Sequence, residues 1–333
     1  MDIKITGKRF KNLLSYEWVK MIALIVAGVV VWSLLFTTLG TRITVGENFT
    51  FFTYEGVYTV GSESKNDMLL NEAKNKGYFS YDVLEANSSS IVSGGQYTAT
   101  YMLSLKMTTQ EGDVMIISDG RAVTEKEGGE SVSDLGTVIN SGYLCDIQTL
   151  LTKAMDYCVY DHLFITENED GTYTVNEDVI RNYFLEVRVK SAKNYKKTYR
   201  TAEQKENGAK LEISRIKKLY ENYLYVSKAI AKAKSNDSDF LWYGEIYTYD
   251  SKGNVIKEKT EVRPFGIDLY KLNTPFIESG IPDIANTWYT YADGKTTAEG
   301  LVACVFDFTS YQPDLQYETL GFLRYLIETY SGY

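Results

Sequence analysis

Two short stretches carry the side chains most able to hold a ligand. Tyr54-Glu55-Gly56 and Ser118-Asp119-Gly120 each place a hydroxyl beside a carboxylate and follow it with glycine. A carboxylate accepts hydrogen bonds from sugar hydroxyls or amines, and the glycine lets the backbone turn close to a bound molecule. Two aromatic pairs, Trp242-Tyr243 and Trp288-Tyr289, add flat rings that can stack on a sugar face. Enzyme chemistry has less to work with. His162 is the one histidine, which excludes multi-histidine metal sites, and "YDHLF" reads as a helix end where His162 packs structurally. There is no phosphate loop and no paired-cysteine metal motif. Carboxylates abound among 44 acidic residues, and no spacing picks out a glycosidase pair. Thr166 to Glu177 imitates a calcium loop, with Asn168, Asp170, Gly171 and Glu177 in place, but Thr166 stands where aspartate is needed. It reads instead as a hairpin turning at Asp170-Gly171. No catalytic residue, cofactor, metal or enzymatic activity is expected.

The elements that would position these residues follow from period and punctuation. "NFTFFTYEG" (48 to 56) is β-rich and ends at glycine. "SESKNDMLLNEAKNKG" (62 to 77) has Ser62 or Ser64 as a cap and Gly77 as a stop, which predicts a helix. "YFSYDVLEA" (78 to 86) reads as a second strand. Over 95 to 112, Tyr97, Tyr101 and Leu105 share one helical face. "DVMIISD" (113 to 119) is an apolar run between carboxylates, as expected of a strand buried on both faces with Val114, Ile116 and Ile117 in the core. Strand, helix, strand, helix, strand within about 70 residues predicts a parallel sheet with right-handed crossovers. Ligands of such sheets bind at the carboxyl ends of the strands, here Tyr54, Glu55, Ser118 and Asp119.

Further along, 179 to 200 and 203 to 234 read as helices, the second with an apolar stripe through Ile216, Leu219, Tyr220, Tyr223, Leu224 and Ile230. Residues 239 to 262 read as a hairpin turning at Lys252-Gly253-Asn254.

Upstream of all this, residues 21 to 39, "MIALIVAGVVVWSLLFTTL", run 19 residues without a charge. As a helix they span about 28 Å, the hydrocarbon thickness of a bilayer. Lys4, Lys8, Arg9, Lys11 and Lys20 precede them against Asp2 and Glu17. The expectation is therefore a basic cytoplasmic tail over 1 to 20, an uncleaved signal anchor over 21 to 39, and an extracellular domain over 41 to 333 on a single-pass membrane protein. Trp18 and Trp32 would sit near the interfaces. A lipid anchor would need a cysteine directly after the apolar stretch, and the cysteines are Cys145, Cys158 and Cys304. Cys145 and Cys158 could form one bridge; Cys304 reads as a core residue. Tyrosine and lysine usage, with 28 tyrosines and 4 prolines, suggests a low-GC Gram-positive bacterium.

The net charge is −9. Residues 1 to 40 carry +3, so the remainder is −12, and within it 181 to 218 carry +8 from twelve basic and four acidic residues. That stretch reads as a solvated helix face or as a patch for anionic lipid, wall polymer or a protein partner. No nucleic-acid motif accompanies it.

The sequence resembles bacterial extracellular solute-binding proteins of the type 2 periplasmic-binding fold. The likeness rests on "FFTYEG" as opening strand, "EGDVMIISDG" as third strand, "SGYLCDIQTLL" (141 to 151) after it, "RPFGIDLYKL" (263 to 272), and "GLVACVFDFTSYQPDLQYETLGFLRYLIETY" (300 to 330) as late strand and closing helix. It covers about half of the extracellular part. It implies an α/β lobe over about 45 to 150 plus 263 to 333, a reduced, mostly helical second part over 151 to 262, service to an ABC transporter with permease subunits in the membrane, and a small sugar or peptide as ligand. The ligand contacts would be Tyr54, Glu55, Ser118, Asp119, Trp242 and Trp288. The alternative is a structural or interaction subunit of an envelope complex that binds no small ligand.

Overall fold

The computed structural model describes residues 18–20, 22–33, 47–62, 64–120, 135–191, 193–292, 294–307 and 317–333. From residue 47 onward these form one compact unit, separate from the helical residues near the N-terminus. The helical backbone over 18–20 and 22–33 is exposed, with Leu24, Ile25 and Trp32 among its bare apolar side chains. Among the described residues no helix is long and apolar enough to cross a membrane. The expected anchor over 21 to 39 lies partly outside them, since Met21 and residues 34–39 are not described.

The large unit is built on a seven-stranded mixed sheet. Its main path runs β3 (Glu85–Ile91), β1 (Asn48–Tyr54), β4 (Val114–Ser118), β12 (Leu301–Phe306), β9 (Glu261–Asp268) and β8 (Leu241–Ile246), and β5 (Leu144–Cys145) pairs alongside β12. β3, β1 and β4 are parallel; β12, β9 and β8 continue the sheet antiparallel. The expected parallel sheet is thus its first half, and "DVMIISD" is an interior strand with all five residues of β4 buried. Gly112 is required just before it. Its φ is +126°, and a Cβ there would lie 2.5 Å from the Phe52 ring and 2.9 Å from Phe306.

Alternate residues of each strand feed two cores, as the pleat demands. Phe49, Phe51, Val114, Ile116, Ala303 and Val305 face α1 (Ser64–Asn75), α6 (Ala202–Ser235) and α8 (Glu318–Tyr330). Phe52, Tyr54, Met115, Ile117, Val302 and Cys304 face α2 (Ala99–Thr109) and α3 (Leu135–Asn140). Asp146 caps α4 (Ile147–Met155), which belongs to the first core, by accepting the Thr149 N–H at 2.8 Å.

Several expectations need correction. The second strand is "EANSSSI", not 78 to 86. An edge strand needs no apolar run, and its serines are held by side chains: Asp67 Oδ1 accepts the Ser88 N–H at 2.8 Å, and the Ser90 and Thr53 hydroxyls lie 2.8 Å apart. α2 begins at Ala99, so Tyr97 lies just before it; Tyr101 and Leu105 share its exposed face, while Ala99, Leu103 and Met107 are buried. Residues 151 to 262 are not a separate part. Their hairpin supplies β8 to the main sheet, and their long helix α6 packs on α8. Cys145, Cys158 and Cys304 are all free and buried. The hairpin at Asp170-Gly171 is β6 (Ile165–Glu167) with β7 (Tyr173–Val175), where Asp170 accepts the Thr172 N–H at 2.9 Å. The 252-to-254 turn joins β8 to β9 as expected, with the Gly253 N–H bonded to the Asp250 carbonyl at 3.0 Å.

The basic stretch is partly interior. Arg188 and Arg215, 7% and 1% exposed, lie between Asp82 and Glu212, 3% and 0% exposed. Arg215 Nη2 donates to Glu212 Oε1 at 2.8 Å and Arg188 Nη2 to Asp82 Oδ2 at 2.8 Å, while Arg188 Nη1 also reaches Glu212. The Tyr81 hydroxyl donates to Glu212 and the Tyr195 hydroxyl to Asp82. Burial alone would raise the Glu212 carboxyl, but the two guanidiniums outweigh it and hold the group at about 2. This network ties the 78-to-84 loop to the helical layer, so two of the twelve basic residues serve the fold and not a partner.

Candidate ligand site at the carboxyl edge of the sheet

β1 pairs with β3 on one side and with β4 on the other, so the chain order reverses between β1 and β4. Such a switch point opens a crevice at the strand ends because the two crossover helices leave on opposite faces. The register aligns Thr53 with Ile116. Glu55 and Asp119 therefore leave neighbouring strands at the same edge, with strand spacing of about 4.8 Å beneath them.

Each side chain there is positioned by a specific neighbour. Glu55 Oε2 accepts the Ser93 hydroxyl at 2.7 Å, and Ser93 Oγ in turn accepts the Ala99 N–H at the start of α2 at 3.1 Å. Tyr54 is buried, its hydroxyl 3.3 Å from that of Thr100. Ser118 is buried and its Oγ accepts the Gly120 N–H at 3.2 Å, shaping the turn. The Asp119 N–H donates to the Gly300 carbonyl at 2.8 Å, and its Oδ2 accepts Trp242 Nε1–H at 2.8 Å. Five of the six expected residues, Tyr54, Glu55, Ser118, Asp119 and Trp242, thus meet at one edge.

Trp288 does not join them as a stacking surface. It is fully buried, donates Nε1–H to Asn66 Oδ1 at 2.8 Å, and packs on Phe51 with ring centres 5.6 Å apart. The alternation of β10 (Trp288–Ala292) explains this. Trp288 and Thr290 point inward, so Tyr289 and Tyr291 point the other way. Tyr58, on β2 (Tyr58–Thr59), is the cross-strand partner of Tyr289, and their rings stack at 5.6 Å with Tyr291 5.4 Å away edge-on. β2 follows β1 directly, and the hairpin of β10 with β11 (Lys295–Thr297) leads into β12, whose Leu301 aligns with Ser118. The three tyrosines therefore stand at the same edge as Glu55 and Asp119, with Tyr58 44% exposed. Sequence reading weighed the tryptophans and passed over these; the period-2 alternation in "WYTY" was the signal available.

Glu55 accepts from the Ser93 hydroxyl and Asp119 from the Trp242 indole. His162 lies elsewhere, stacked on Phe164 with ring centres 4.9 Å apart. Among the described residues no group of three or more His, Cys, Asp or Glu side chains is arranged to hold a metal ion. Comparison with protein-family models, with curated proteins and with solved structures finds no match for this chain.

Proposed function

We propose that this chain is a membrane-tethered, extracytoplasmic, solute-binding-like protein that takes a small carbohydrate at the carboxyl edge of its sheet and serves a transporter system as a binding or accessory component. The observation that supports the reading is the switch point: Glu55 and Asp119 leave neighbouring strands at one edge, and the stacked Tyr58, Tyr289 and Tyr291 rings lie on the segments that lead out of β1 and into β12. Rings for the sugar face and carboxylates for its hydroxyls are the two elements carbohydrate recognition needs. The β3-β1-β4 order also supports the resemblance drawn from the opening strands, the late strand and the closing helix. The tether rests on the uncharged residues 21 to 39 and the basic residues before them. Permease subunits in the membrane are the partners this reading implies, and no chemistry is assigned to the site.

A second reading has its own support. The Trp242 indole already occupies one Asp119 oxygen, and Tyr97, just before α2, stacks at 4.9 Å on Tyr101 of its exposed face. Both features suit an interaction subunit of an envelope complex that binds no solute. Thermal melting of the full chain against a panel of oligosaccharides separates the two. A ligand at about 100 times its dissociation constant adds about 2.7 kcal/mol of stability, whereas an interaction subunit gains nothing from any sugar.

A further inference from the structure

The other end of the same sheet edge carries a cavity that the sugar-binding reading leaves unused. β8 begins there, β9 ends there, and α6 finishes beside them. Between these ends lies an open, solvent-facing pocket of about 590 Å³ lined by Lys234, Asp237, Asp239, Tyr270 and Lys271. Small-molecule sites typically enclose roughly 300 to 1,000 Å³, so the space suits a ligand larger than a single ion.

The charges on its walls are unevenly committed. Asp239 is engaged, accepting the Leu241 N–H at 3.0 Å and the Tyr243 hydroxyl at 2.7 Å. Among the described residues, no hydrogen bond or ion pair engages the Lys234 ammonium, which lies 5.9 Å over the Tyr243 ring. The Lys271 ammonium, half exposed, reaches Asp268 only at 3.8 Å. Asp237 is exposed, and its carboxylate likewise has no partner among the described residues. One unpaired cation, one cation in a long ion pair and one unpaired anion, all exposed, thus line one space. A simple anion would satisfy the lysines and meet Asp237 as a repulsion, and a simple cation would do the reverse. A molecule carrying both charges satisfies all three, and the Tyr270 ring supplies a flat wall for the apolar part between them.

We propose that this cavity binds a small zwitterionic peptide of two or three residues, its carboxylate held by Lys234 and Lys271 and its ammonium by Asp237. The proposal goes beyond the sugar-binding reading and does not rest on it.

The test is isothermal titration calorimetry of the full chain with trialanine, N-acetyl-trialanine amide and sodium acetate as probes. Trialanine should bind, while the blocked peptide and acetate should bind at least tenfold more weakly. Lys271→Gln and Asp237→Asn should each weaken trialanine about tenfold or more, the range for losing a charge-assisted hydrogen bond. Asp237 is exposed, so Asp237→Asn should melt as the native protein does, whereas Lys271→Gln gives up its 3.8 Å pair with buried Asp268 and should melt slightly lower; oligosaccharide binding at the other end of the edge should be untouched by either variant. Absence of heat with trialanine, equal binding of the blocked peptide, or unchanged affinity in both variants would overturn the assignment.

Discussion

Replacing Glu212 by glutamine should expose how much of this fold depends on its buried ion network. Glu212 is 0% exposed and accepts from Arg215 at 2.8 and 3.1 Å, from the Tyr81 hydroxyl at 3.0 Å, and from Arg188. Glutamine keeps the shape, removes the charge and leaves two buried guanidiniums with Asp82 as their near carboxylate. Breaking a buried pair by removing one partner costs about 3 to 5 kcal/mol, a large share of a total stability of roughly 5 to 15 kcal/mol. The shifted carboxyl gives an independent figure. Its folded value of about 2 stands against an ordinary 4.5, which at about 1.36 kcal/mol per unit amounts to about 3 kcal/mol. The sign follows from a folded pKa below the unfolded one. This stability is fully present above about pH 4.5 and is lost as pH falls toward 2. Urea unfolding of the full chain at pH 7 and at pH 3 reads both effects. The variant should lose about 3 to 5 kcal/mol at pH 7, and its deficit should narrow at pH 3 because the unfolded chain takes up a proton at Glu212 that the native state, with its carboxyl held at about 2, still excludes. A variant within about 0.5 kcal/mol of native at pH 7, with the same pH profile, would refute the network's structural role.

Other outcomes follow from the same geometry. Ile116→Asp puts an unpaired charge at the centre of β4, where the isoleucine is 0% exposed, and should abolish folding; normal expression with a native melting curve would show that β4 is not interior. Trp242→Phe keeps most of the ring but removes the 2.8 Å bond to Asp119, and should lower stability by about 1 kcal/mol in denaturant titration; no change would mean that the bond contributes nothing in solution. Protease added to intact protoplasts should remove the domain beyond residue 41, whereas protection of that domain would reverse the topology proposed from Lys4, Lys8, Arg9, Lys11 and Lys20.

The parts of this fold with strong local signals could be read from the sequence. β1 is rich in aromatic and β-branched residues, β4 opens with four apolar residues in a row, α1 ends near Gly77, and the 252-to-254 turn carries a glycine that adopts φ +82°. What could not be read depends on which faces become covered. β3 is polar because it lies at the sheet edge, so "EANSSSI" looks like a loop until its neighbour β1 is known. The stripe Tyr97, Tyr101 and Leu105 has helical spacing, yet α2 buries the smaller Ala99 and Leu103 against the sheet instead. Arg188 and Arg215 look like members of a solvated basic stretch, and the hint to the contrary is that Glu212 and Arg215 share a helix face with Ile216 and Leu219, which are buried. At the candidate site, Glu55 and Asp119 follow from where strands end, a one-dimensional signal. The tyrosine face requires knowing that β2 pairs with β10, which brings together residues more than two hundred positions apart in the chain.

The measurement that bears most directly on the proposed function is a calorimetric titration of the full chain with maltotriose and cellotriose, repeated on Asp119→Asn and Tyr58→Ala. The account predicts saturable binding of at least one sugar by the native protein. It predicts an affinity weakened about tenfold to a hundredfold in each variant, corresponding to about 1 to 3 kcal/mol for a lost polar contact or stacking ring, with melting little changed. Binding that ignores both substitutions would contradict the site at the carboxyl edge. No heat from either sugar, with the native protein folded, would contradict the carbohydrate reading itself and favour the interaction subunit.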